Sequence, residues 1–159
     1  MSLTLRFFVD VQSGEPLSGF DLGHVEIANG LGNWTSFGKK PDQGMMIFPS
    51  VVGLLDGLKD FLQKKDKKRF YWTGIDSSFS IVFQKNSAEF ISVAIGSELI
   101  ANMRAPELAE VIYQSIVAFL DENVNRLAID DPVLEDLTVA KEEFLQFMAT
   151  LSLRCEKSS

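Results

Sequence analysis

Apolar side chains recur at every second position at the start of the chain. Leu3, Leu5, Phe7, Val9 and Val11 alternate with Thr4, Arg6, Phe8 and Asp10, which is the period of a half-buried β-strand. The same period returns twice between Ser77 and Ile95. Phe79, Ile81 and Phe83 share one face of a strand, Ile91, Val93 and Ile95 one face of the next, and Gln84-Lys85-Asn86-Ser87 supplies a polar turn between them. This spacing predicts an antiparallel hairpin. Shorter strands are expected over 24–28, where Asn29-Gly30 signals a turn toward 34–37, and over 70–73 and 99–103.

Elsewhere the apolar period lengthens to that of a helix. Pro49 suits a first helical turn, and Val51, Leu54, Leu55, Leu58, Phe61 and Leu62 form a stripe that should stop near Lys65, where lysines favour a helix C-terminus. Gly53 and Gly57 on this helix predict close packing against a sheet. Pro106 opens a second stripe of Leu108, Val111, Ile112, Ser115, Ile116, Phe119 and Leu120, which ends at Asp121-Glu122-Asn123. A third helix begins at Asp131-Pro132, with Asp131 as cap and Pro132 in the first turn. Its seam runs through Val133, Leu137, Ala140, Phe144, Phe147 and Leu151. Together these elements predict one α+β domain over residues 1–159. A mainly antiparallel sheet of about five to six strands would carry about three helices on one face.

Composition agrees with a single domain and narrows its partners. Hydrophobic residues make up 46% of the chain and thirteen are Phe, an aromatic without a polar tip, so a substantial core is expected. Fifteen basic against 22 acidic residues leave a formal net charge of −7, which opposes binding to a phosphate backbone. The basic run Lys64, Lys65, Lys67, Lys68 and Arg69, followed by Phe70-Tyr71-Trp72, reads better as a helix end than as a nucleic-acid surface. No stretch approaches the roughly 18 apolar residues of a membrane span, and the first residues lack a signal-peptide pattern. A cytoplasmic protein without a membrane partner is the expectation. The single cysteine, Cys155, agrees with a reducing compartment.

Residues able to carry chemistry are few. His24 is the only histidine, and a triad of Asp21, His24 and Ser77 or Ser78 lacks the glycine-flanked serine of a nucleophile elbow. No catalytic residue is assigned. One histidine and one distant cysteine do not make a zinc site, the carboxylates around residue 130 fit no calcium loop, and Gly30-Leu31-Gly32 has Thr35 where a dinucleotide fingerprint needs its third glycine. No metal or cofactor is expected. His24 and Trp72 remain as candidates to line a small-molecule pocket between sheet and helices.

The strongest bias is a local charge. Residues 107–143 hold ten carboxylates against Arg126 and Lys141 alone, a net of −8 from ten minus two. Asp121, Glu122, Asp130, Glu135 and Asp136 bracket the connection between the last two helices and are the candidate contacts for a basic protein partner.

The order of elements, with the short strand Gly23-His24-Val25-Glu26-Ile27 and the segment Trp72-Thr73-Gly74-Ile75-Asp76-Ser77-Ser78-Phe79, resembles small bacterial proteins that include immunity proteins of polymorphic toxin systems. That resemblance implies a cytoplasmic, non-enzymatic protein that binds a toxin domain through a charged surface. It transfers no site residue. The expected function is therefore a protein-binding module, with a small-molecule binder or enzyme as the alternative.

Overall fold

The alternation at the start of the chain becomes strand β1 (Thr4–Val9), paired antiparallel with β2 (Leu22–Ala28) so that Phe7 faces Val25 and Phe8 faces His24. This register turns Phe7, Val25 and Ile27 into the core and leaves Arg6, Phe8 and His24 on the opposite face. The structure, a computed structural model, describes residues 3–11, 14–87 and 89–158. The side chain of Cys155 lies outside the described residues.

Strand β2 is central. Its other edge is shared by two short strands, β3 (Asn33–Thr35) beside Glu26 to Ala28 and β4 (Met45–Met46) beside Leu22 and Gly23. Helix α1 (Ile47–Gln63) follows directly, with Pro49 in its first turn. The chain then runs as a four-stranded meander, β5 (Arg69–Thr73), β6 (Ser80–Lys85), β7 (Phe90–Ile95) and β8 (Glu98–Arg104). The predicted hairpin is its centre, with Phe83 opposite Val93. Helix α2 (Ala105–Asn123) and helix α3 (Val133–Ser158) complete the described elements, joined by a short 3₁₀ turn (Val124–Arg126).

The strands form two antiparallel sheets of four, which corrects the expectation of one sheet with five or six. Each hairpin closes by local pairing, but β4 ends the first sheet and α1 carries the chain away before β5 starts the second. Backbone and side-chain bonds join the sheets instead. Met46 N donates to Ile75 O at 3.0 Å, and Asn29 Nδ2 donates to Ile100 O at 2.9 Å. Helices α1 and α2 each pack on strands of both sheets, whereas α3 packs on α1 and α2. The third helix is thus an outer layer. Its predicted seam is buried at every position, and Tyr113 of α2 stacks on Phe144 of α3 at 6.0 Å.

Close packing at Gly57 is as the helix pattern predicts, since a Cβ there would run into the Phe70 ring of β5. Gly53 has open space and plays no such part. The lysines past α1 are partly spoken for. Lys64 Nζ and Lys67 Nζ lie 2.8 and 2.7 Å from the Asp60 carboxylate, and their hydrogen bonds hold its pKa down at about 2.

Candidate functional site

His24 lies on the face of β2 away from the helices, yet it is only 2% exposed. The segment after β3 folds back over it. The rings of Phe8 and Phe37 flank the imidazole at 5.5 and 5.2 Å. Its Nε2 lies 3.3 Å from Asp10 Oδ2 and its Nδ1 3.1 Å from Ser36 Oγ. A carboxylate only accepts, so a neutral imidazole carries its proton on Nε2 and accepts a hydrogen bond from the Ser36 hydroxyl at Nδ1.

The three residue types are those of a hydrolytic triad, but the arrangement is built for support. Ser36 is fully buried, and its Oγ also accepts the Val25 amide at 3.0 Å, so no substrate carbonyl reaches it. The triad weighed from sequence does not assemble. Asp21 Oδ2 accepts from Ser18 N, Ser77 Oγ donates to Gln43 O, and Ser78 pairs with Gln43 Nε2. Asp10 and Ser36 were invisible as partners, because positions 10, 24 and 36 form no motif. Only the register that sets Phe8 opposite His24 puts Asp10 diagonally beside the ring.

Trp72, the other pocket candidate, is 3% exposed and donates from Nε1 to Ser50 O at 2.9 Å. Ser50 Oγ also accepts the Ile75 amide at 2.9 Å, which ties α1 to the segment following β5. Trp34 is only half-buried, and its Nε1 donates to Glu98 Oε2 at 3.3 Å. Two grooves open on the surface, of about 350 and 330 Å³, and neither His24 nor Trp72 lines them.

The acidic candidates occupy one end of the α2–α3 pair. Asp121 and Glu122 lie in the last turn of α2, Asp130 in the turn closed by Asp131 N to Ala128 O, and Glu135 and Asp136 in the first turn of α3. All five are exposed, and none forms an ion pair among the described residues. Arg126 lies at the same end, where its Nε donates to Glu15 O at 2.9 Å and its Nη1 to Asn123 Oδ1 at 3.1 Å. The larger groove adjoins this end and is lined by Phe8, Val9, Val11, Glu122, Asn123 and Arg126.

Two groups on the helices are shifted chiefly by burial, with nearby carboxylates adding to it. The Asp56 carboxyl on α1 is raised above its ordinary range by loss of water, then by Glu143 and Asp136, with Lys59 opposing. Burial pushes the Tyr113 phenol up as well, helped by Glu110 and Asp121. Among the described residues, no cluster of three or more His, Cys, Asp or Glu side chains is placed to hold a metal ion, and no helix is long and apolar enough to cross a membrane.

Comparison of the chain with protein-family models, with curated proteins and with solved structures finds no match. The fold is an α+β arrangement of two four-stranded antiparallel sheets and three helices among the described residues.

Proposed function

We propose that this protein is a non-catalytic binding module that docks a basic protein partner on the acidic end of α2 and α3, as an immunity-type inhibitor of a basic enzyme would. One observation carries the reading: Asp121, Glu122, Asp130, Glu135 and Asp136 are all exposed, and none forms an ion pair among the described residues. Solvated carboxylates attract a cationic surface at long range and leave it the ion pairs to make. The histidine supports the same side of the choice between binding and catalysis, since its serine neighbour is fully buried.

The test neutralises Asp130, Glu135 and Asp136 together, as Asp130→Asn, Glu135→Gln and Asp136→Asn. Asp131 is left intact because it caps α3. Association with the basic protein that co-purifies from the source cell should slow and lose most of its salt dependence, with thermal stability unchanged. Equal association rates for both proteins at every ionic strength would reduce the acidic end to a solubility device.

A further inference from the structure

Among the described residues, no strand pairs with the outer edge of β3 in the first sheet. In the β2–β3 ladder, Asn29 N donates to Gly32 O at 3.3 Å and Ser36 N donates to Val25 O at 3.1 Å. Antiparallel pairs alternate between bonded and non-bonded, so these two mark Trp34 and Ile27, which lie between them, as a bonded pair as well. Asn33 and Thr35 fall on the non-bonded positions. Their amides and carbonyls therefore point away from β2, to the open edge.

That edge borders a surface groove. Asn33, Trp34 and Thr35 all line the groove of about 330 Å³, although successive side chains of a strand point to opposite faces. The groove therefore follows the strand edge itself. Its far wall is the second sheet, with Ser78 to Ser80 entering β6 and the Ile95-Gly96 turn after β7. The walls are tied to each other. Ser77 Oγ donates to Gln43 O at 2.7 Å, and Trp34 Nε1 donates to Glu98 Oε2 at 3.3 Å. Lys39 is the one ionised side chain in the lining, within a chain of net charge −7.

We propose that this groove receives an extended peptide segment of a partner protein, which adds to β3 as a further strand and sets a carboxylate against Lys39. Asn33 and Thr35 offer the incoming backbone up to about four hydrogen bonds, the pattern by which peptides join a sheet edge. The carboxylate belongs to a C-terminus or to an Asp or Glu side chain. None of the five acidic residues of the α2–α3 end lines the groove, so this site is separate from the proposed docking surface.

The probe is a library of peptides displayed with free carboxyl ends, selected on the whole protein. Enriched peptides are then made as free acids and as C-terminal amides, and a loss on amidation assigns the carboxylate to the C-terminus. The edge amide of Asn33 is one of those the peptide would use. Asn33→Pro removes it and should bind about three- to tenfold more weakly. Lys39→Glu should weaken the same peptides about tenfold at low salt. Bound peptide should slow hydrogen exchange at the Asn33 and Thr35 amides. The proposal fails if selection enriches nothing, if exchange at both amides is unchanged on binding, or if Lys39→Glu binds as tightly as the wild type. Should Asn33→Pro melt at a lower temperature, the exchange and Lys39→Glu results decide.

Discussion

Asp131 reaches across the molecule to Gly19: its Oδ2 accepts the Gly19 amide at 2.9 Å while Oδ1 accepts the Val133 amide at 3.0 Å. One carboxylate thus caps α3 and pins the β1–β2 loop to it. A parallel bridge between Leu17 and Leu127, with Leu17 N donating to Arg126 O at 2.9 Å, fastens the same two loops.

Replacing Asp131 with Ala should therefore cost more than an ordinary cap. A cap alone contributes about 0.5–2 kcal/mol, and losing the Gly19 bond adds about 0.5–1.5 kcal/mol. Denaturant titration of Asp131→Ala beside Asp131→Asn measures the sum. A loss below that of a simple cap would mean that the loop contact contributes nothing.

Ile81 is 1% exposed at the centre of the meander, as the alternation of residues 79–83 requires. Its replacement with Ala should destabilise the fold by about 2–5 kcal/mol through lost burial and the remaining cavity. Equilibrium unfolding in urea gives the figure directly, and a change near zero would place Ile81 outside the core.

The His24 cluster should behave as structure. Ser36→Ala leaves the buried Val25 amide and the imidazole each short of a partner, at about 1–3 kcal/mol. His24→Ala should also destabilise the protein while leaving partner binding intact once the protein is folded. A folded His24→Ala protein that has lost binding would overturn the supporting role.

The raised carboxyl of Asp56 fixes the sign of a pH effect. The folded state holds that proton more tightly than the unfolded chain, so the ionised form costs stability above the raised pKa, and the cost disappears as pH falls through it. Asp56→Asn should raise the melting temperature at neutral pH. Melting curves across pH should show that gain shrinking as the pH drops into the ordinary carboxylate range. A gain that is absent at neutral pH, or that grows on acidification, would contradict a carboxyl raised by loss of water and by the neighbouring Glu143 and Asp136.

Periodicity alone determined most of the elements. The strand Thr4–Val9, the hairpin around Gln84 to Ser87, the Pro49 and Pro106 helix starts and the Asp131 cap depend on side chains within a few residues of each other, so they are legible one segment at a time. The acidic bias of residues 107–143 is equally a property of the string. Tertiary packing alone decided that the strands divide into two sheets, because the choice of which edge stays open depends on where α1 carries the chain after β4. It also brought Asp10 and Ser36 to His24 and set the bare edge of β3 against the second sheet. Those contacts join positions far apart in sequence that share no period or motif, and only the pairing of strands across the fold sets their distance.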